Sequence, residues 1–217
     1  MLTSQDQPKP ASRPAYKCPG VVLIFLAIAL LGLAADLLSK EYVFRDMLND
    51  PAAARRLADL QPRIEASLAA GAHQREVLYL LGHRDVAPGT RFTLSTNPGV
   101  VFGIAMPRWL VAVATLLAMG LVLTVLAISD RSAHAVHLAM ALIMAGALGN
   151  LYDRLFSYVQ IPLAGVPPIQ YQVRDFIDMS QLHYPWIFNV ADVFLVAGVA
   201  LLLGHRLLQK KQPTSPD

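Results

Sequence analysis

Four apolar runs divide the chain, at residues 21–38, 109–128, 135–151 and 188–208. Each is close to the roughly 20 residues that an α-helix needs to cross a bilayer. The first exceeds the ~7–15 apolar residues of a cleaved signal-peptide core, so it reads as a retained span. Only residues 129–134 separate the second run from the third, which makes those two spans antiparallel neighbours. The polar connections carry their own periodicity. In 41–108, Asp50 fits an N-cap and Pro51 the first helical position, and Leu57, Leu60, Ile64 and Leu68 recur at helical spacing up to Gly71. This predicts an amphipathic helix with a kink or an early end at Pro62. Farther on, residues 77–81, 91–96 and 100–105 read as short strands punctuated by Pro88-Gly89 and Pro98-Gly99. In the second connection, 155–187, Ile169, Tyr171 and Val173 alternate with Gln170, Gln172 and Arg174 as in a half-buried strand. Continued, that alternation turns Asp175 toward the interior, Arg174 toward water and Asp178 onto the other face from Asp175. The predicted fold is a membrane all-α core of four transmembrane helices with a small outer-face β-sheet and an extra amphipathic helix.

Composition agrees with a chain that lives in lipid. With 55% hydrophobic and 15% charged residues and a mean hydropathy of +0.45, these 217 residues are too apolar for a soluble domain. One domain is expected over 20–208, with an outer insertion at about 41–108 and a second outer loop at about 155–187. A flexible cytoplasmic tail is expected at 1–19 and a second cytoplasmic tail at 209–217. The net charge of +3, without a basic patch interleaved with aromatics, excludes nucleic acid as a partner. The single cysteine, Cys18, excludes an internal disulfide and a thiolate metal cluster. Both tails are basic and the number of spans is even, which puts both termini in the cytoplasm. The 41–108 connection is arginine-rich as well, but long segments cross largely regardless of charge.

Polar groups then collect at one end of the spans. They lie in Gly149-Asn150-Leu151-Tyr152-Asp153-Arg154, Val173-Arg174-Asp175-Phe176 and Phe188-Asn189-Val190-Ala191-Asp192. Ionisable groups beside an apolar span are expensive, so they mark a functional site or a structural ion pair. Asp36 and Lys40, one turn apart, suit an intrahelical pair at the membrane boundary. Asn97, in the Asn97-Pro98-Gly99 turn, either faces the cluster or serves the turn alone. Gly146 and Gly149 leave a groove for close helix approach, with Asn150 and Arg154 on a shared face beside it. His134 and His137 lack a third ligand and read as interfacial, so the residues call for no metal and no cofactor. Two carboxylates held close in a partly dry site do not both ionise easily, so one keeps its proton while the other acts as a base. That pairing suits the activation of water against a peptide carbonyl. Spacing alone leaves a membrane-edge hydrolase slightly ahead of a small proton-coupled membrane transporter.

Five blocks in order carry a resemblance that separates these readings. Asp36-Leu37-Leu38-Ser39-Lys40, Asn97-Pro98-Gly99-Val100-Val101-Phe102-Gly103 and the three blocks above resemble the signature blocks of lipoprotein signal peptidase, also called signal peptidase II. The resemblance runs from the first span to the fourth. It implies an aspartic endopeptidase of the bacterial inner (cytoplasmic) membrane with its active site at the outer (periplasmic) face. Such an enzyme removes the signal peptide from diacylglyceryl-modified prolipoproteins, cutting before the lipidated cysteine. It also implies that Asp175 and Asp192 are the catalytic dyad, that Asn97, Asn150, Arg154 and Asn189 line the substrate and inhibitor site, and that Asp36, Lys40 and Asp153 support it. The implied partners are the prolipoprotein substrates, membrane lipids and globomycin-type inhibitors, with the enzyme a monomer. Segments 45–90 and 155–172 are longer than the family pattern and fall between blocks. The competing readings are the transporter, whose relay should continue across the membrane, and a non-catalytic lipoprotein-binding membrane protein.

Overall fold

The computed structural model describes residues 13–101 and 104–210. Residues 1–12 and 211–217 of the two expected tails, and Phe102-Gly103, lie outside the described residues. Six helices occur in the order α1 (Pro19–Leu48), α2 (Pro51–Ala69), α3 (Gln74–Tyr79), α4 (Arg108–Ile128), α5 (His134–Phe156) and α6 (Val190–Lys210). Four of them, α1, α4, α5 and α6, are long and apolar enough to cross a membrane, each within a few residues of a predicted span. The exception is the far end of α1, which continues ten residues past the apolar run at 21–38. At 1.5 Å per residue its 30 residues reach about 45 Å, more than the ~30 Å hydrocarbon layer. The extra turns carry Val43, Phe44 and Met47 into a second core outside the span bundle.

The span bundle is built around α5, which packs against α6, α1 and α4. Its buried face is made of small residues, Ala139, Ala141, Ala145, Gly146 and Gly149, so neighbouring backbones approach closely. Side chains facing away from α5, such as Leu23, Leu117 and Leu203, are exposed and apolar, as lipid contact requires. The segment before α1 is held in place. Pro14 bridges Asp130, the Ala15 amide donates to the Ser129 carbonyl (2.9 Å), and Arg131 N–H donates to the Arg13 carbonyl (3.0 Å). Within the tail expected at 1–19, Arg13, Pro14 and Ala15 are thus tied to the α4–α5 link.

The second core sits under an antiparallel sheet. Its strands are β1 (His83–Ala87), β2 (Thr90–Asn97), β7 (Val173–Asp178) and β8 (Ile187–Phe188), in the order β1-β2-β7-β8. Two smaller hairpins pair β3 (Val100–Val101) with β4 (Ile104–Ala105), and β5 (Tyr158–Val159) with β6 (Ile169–Gln170). Helix α2 starts as its sequence predicts, with the Asp50 carboxylate capping the Ala52 amide and Pro51 at the first position. Of the kink or early end expected at Pro62, the early end does not occur: the helix runs through Pro62 to Ala69. Leu57 and Ile64 pack against Leu78, Leu81, Leu94 and Phe176, so α2 belongs to the core of the sheet.

Three expectations for the connections need correction. Residues 77–81 are not a strand. Val77 and Leu78 lie in the short helix α3, where both point into the core, and an apolar run this short fits either period. Within 100–105, Val100–Val101 and Ile104–Ala105 pair antiparallel as β3 and β4 and are not one strand. Arg174 does not face water: β7 is an inner strand covered on both faces, and Arg174 is as buried as Asp175.

Candidate active site

The site forms where β7 passes over the first turn of α6. Asn189 caps α6 in a reciprocal box. Its Oδ1 accepts the Asp192 amide (3.0 Å), while Asp192 Oδ2 accepts the Asn189 amide (3.2 Å). This fixes both side chains relative to the helix. The free end of the Asn189 amide then donates from Nδ2 to Asp175 Oδ1 at 2.6 Å and to Asn150 Oδ1 at 3.2 Å. Asn150, on α5, donates from its own Nδ2 to Asp192 Oδ1 at 2.8 Å. Two amides from two helices thereby bridge two carboxylates, one from a strand and one from a helix.

Asp175 is buried, and Asp192 is half-buried. Burial, followed by the charge of Asp192, holds the Asp175 carboxyl well above the usual carboxylate range, and the Asn189 hydrogen bond opposes this only in part. Opposite Asp175 in the register lies Ser95, next to a bulge where β2 runs four residues, Phe92 to Ser95, against three of β7, Ile177 to Asp175. Bulges of this kind re-aim a strand beside a site. Arg154 lies one turn after Asn150 and donates from Nη1 to the Asn150 carbonyl (3.1 Å). Its buried Nε has no hydrogen-bond partner, a donor left over for a ligand.

Below the carboxylates lies a buried ionic layer. Lys40 Nζ sits 2.7 Å from Asp36 Oδ2, 3.1 Å from Asp153 Oδ2 and 3.3 Å from Asn150 Oδ1. Asp36 Oδ1 in turn accepts the Ala191 amide of α6 at 2.8 Å. Asp153 also receives the Arg174 backbone amide (3.0 Å) and its guanidinium (2.9 Å from Nη2), while Arg174 Nη1 reaches Glu41 at 3.3 Å. A Cβ on Gly149 would collide with Asp36 Oδ2, so the close approach foreseen at Gly149 is what admits this layer.

Eight of the nine residues singled out from the sequence therefore lie in one cluster or its support. The ninth, Asn97, uses Oδ1 to accept the Gly99 amide (2.9 Å) in its own turn and lies across from Val173 at the edge of the sheet. Arg174 and Glu41 belong to the support but were not foreseen. The available signal was Phe176: it shares a strand face with Arg174, and an apolar side chain there means that this face is covered too. His134 and His137 lie apart from the site, and His137 shares a 2.9 Å hydrogen bond with Ser129. Beside Asp192, an apolar groove of about 510 Å³ runs along α6, lined by Met179, Leu182, Tyr184, Phe188, Val193 and Val196 among others.

The family described as Signal peptidase (SPase) II matches residues 28–208. The lipoprotein signal peptidase of Brevibacillus brevis is 32% identical over 129 residues, covering 58% of this chain and 76% of the relative. That of Aquifex aeolicus is 36% identical over 126 residues, covering 56% and 68%. That of Caulobacter vibrioides is 31% identical over 153 residues, covering 64% and 81%. Among solved structures, a bacterial membrane enzyme determined by the in meso method at 2.3 Å resolution aligns with a TM-score of 0.60 at 19% identity, over 89% of this chain and 93% of the other. A second, at 1.9 Å resolution, gives 0.54 at 22% identity over 88% and 94%. These two likenesses concern the fold.

Proposed function

The chain belongs to the signal peptidase II family, and from that premise we propose that Asp175 and Asp192 are the acids with which it cuts. As a lipoprotein signal peptidase it is a membrane-bound hydrolase that removes signal peptides from prolipoproteins. The division of labour follows from their partners. Both oxygens of Asp192 accept N–H groups, from Asn150 and from the Asn189 backbone, and we assign its carboxylate the role of base. Asp175, buried beside that charge, keeps its proton. Asp192 takes a proton from water as the water oxygen bonds to the scissile carbonyl carbon, and Asp175 gives its proton to the carbonyl oxygen. When the tetrahedral species collapses, the C–N bond breaks. Asp192 returns its proton to the leaving amine, and Asp175 recovers one from the hydroxyl. Arg154, with its unpaired Nε, binds the substrate backbone beside the developing charge.

The observation that carries this reading is that Asn189 bridges both carboxylates, its side-chain Nδ2 donating to Asp175 and its backbone N–H to Asp192. The apolar groove beside Asp192 suits a lipid-modified substrate that cannot leave the bilayer, namely a diacylglyceryl prolipoprotein cut before its lipidated cysteine. The sheet and its cluster lie at the outer face of a bacterial inner membrane, with both termini cytoplasmic. Lys17, Arg131 and Arg206 gather at the opposite end of the spans, as the positive-inside rule requires. The enzyme acts as a monomer among membrane lipids, and globomycin-type inhibitors occupy the same site. A proton-coupled transporter is not favoured, because the acids of the described spans collect at one end and form no path across.

The test is single-turnover cleavage of a diacylglyceryl lipopeptide by detergent-purified variants matched for folding by size exclusion. Asp175→Asn and Asp192→Asn should fall to background, whereas Asp153→Asn should lower yield or rate without abolishing cleavage. Persistent cutting by either dyad variant, with Asp153→Asn dead, would overturn the assignment.

A further inference from the structure

We propose that Lys40 is a positioning residue of this site: its ammonium sets the orientation of the Asn150 amide, and through it which face of that amide meets Asp192. The inference rests on the dyad reading above. Lys40 is wholly buried, and its three N–H donors meet three acceptors, the carboxylates of Asp36 and Asp153 and the Oδ1 of Asn150. A side-chain amide has an accepting end and a donating end that interchange by a half-turn. In the observed orientation, Asn150 Oδ1 receives Lys40 Nζ at 3.3 Å and Asn189 Nδ2 at 3.2 Å, and Nδ2 donates to Asp192 at 2.8 Å. The half-turn loses all three bonds. It sets an NH2 group against an ammonium and another NH2, and a carbonyl oxygen against a carboxylate. Asn189 has no such choice, because its Oδ1 is held by the Asp192 backbone amide. Lys40 adds a charged donor to the Asn189 Nδ2 on the same oxygen, and together they remove the choice from Asn150.

The ammonium acts from behind an amide, and its own charge is balanced. Lys40 and Arg174 face Asp36 and Asp153, two cations against two anions. A direct ammonium–dyad pair would favour ionising both acids and would remove the proton that the chemistry needs. With Asn150 interposed, the site receives the orientation without that pair. The charged groups around Asp192 are Asp175 and, behind it, Arg174 from β7, Arg154 and Asp153 from α5, and Asp36 and Lys40 from α1.

Lys40→Met alone leaves the buried carboxylate of Asp36 without its cation and is expected to fold poorly. The informative variant is Asp36→Asn/Lys40→Met, which removes one charge of each sign and keeps an oxygen at position 36 for the Ala191 amide. Its companion, Asp36→Asn/Lys40→Gln, restores an uncharged N–H donor toward Asn150. kcat and KM for cleavage of a diacylglyceryl lipopeptide are measured against pH in detergent, on variants matched by thermal unfolding. In the Met variant kcat should fall about tenfold to a hundredfold with little change in KM. The acid limb of its rate profile should move to higher pH, because the carboxylate loses a fixed N–H donor. The Gln variant should recover much of that shift. A folded Met variant with a wild-type profile, or a shift that Gln does not relieve, would overturn the proposal. Asp175→Asn and Asp192→Asn run alongside: if either still cuts, the dyad reading fails, whereas if both are inactive and the Met profile is unshifted, only the role of Lys40 fails.

Discussion

Gly146→Ala tests whether the approach of α5 to α6 sets the site. A Cβ at Gly146 would land on the carbonyl oxygen of Ala191, 3.2 Å from its carbonyl carbon and 2.7 Å from Leu195 Cγ. Leu195 can swing aside, but the Ala191 carbonyl is backbone, one residue before Asp192, and can move only with the helix. Restoring an ordinary 3.4 Å contact at the Ala191 carbonyl oxygen displaces the start of α6 by on the order of 1 Å. Asn189 and Asp192 ride on that turn, so their bonds to Asp175 and Asn150 lengthen together. A misplacement of this size costs about a hundredfold in rate, and overpacking adds about 1–3 kcal/mol of strain. The helical preference for alanine returns only about 0.5–1 kcal/mol. Gly204, in the same α6, has no atom within 4 Å of a built Cβ, so Gly204→Ala should keep full activity and gain slightly in stability. The assay pairs lipopeptide kcat with thermal unfolding in detergent. If folded Gly146→Ala cuts at the wild-type rate, the close contact does not position the site.

Two further predictions concern the second core. Asp178 takes hydrogen bonds from Arg91 (2.8 Å), Thr93 (2.9 Å) and the Ser180 amide (2.9 Å). Burial works against its charge, but these bonds outweigh it and hold the carboxyl below the usual range. A depressed folded value stabilises above the unfolded one and is lost as pH falls. Asp178→Asn should therefore cost about 2 kcal/mol at neutral pH, with the gap to wild type closing below about pH 4; a gap independent of pH would refute the assignment. Leu57 is fully buried between α2 and the sheet, so Leu57→Ala should cost about 2–5 kcal/mol in unfolding, and an unchanged melting temperature would remove α2 from the core.

The spans were legible because lipid imposes a length and a composition that a sequence cannot disguise. The start of α2 was legible for a local reason: Asp50 and Pro51 act on the first turn whatever surrounds it. The misreadings at 77–81 and Arg174 share a cause, since each depended on what covers a face. Val77 and Leu78 look the same to a strand or a helix, and the packing of α2 decides for the helix. The alternation through 169–174 ends in the turn at Tyr171, where φ is 60°, and β7 begins afresh as an inner strand. Asp175 was placed inward from an alternation that does not in fact continue, and it is inward because both faces of β7 are covered. Of the site, the acids and amides were visible as types. Their pairing was not, because it depends on the capping box that ends one element and the bulge that bends another.

The two acids of the proposed dyad are the same residue type, and their difference comes from the elements that present them. Asp192 sits in the first turn of α6, among the unpaired amides of the helix start. It answers the Asn189 amide from there. Asp175 sits inside a sheet, where strand dipoles largely cancel and burial favours the neutral form. A strand crossing a helix N-terminus thus brings a buried carboxyl that holds its proton against a half-buried one at the helix start. The small residues at Gly146 and Gly149 permit that crossing, and the neutral layer of Asp36, Lys40, Asp153 and Arg174 fixes it from below. The asymmetry that general acid and base chemistry requires is therefore a property of topology, and a substitution that moves α6 against β7 should erase it while leaving both aspartates in place.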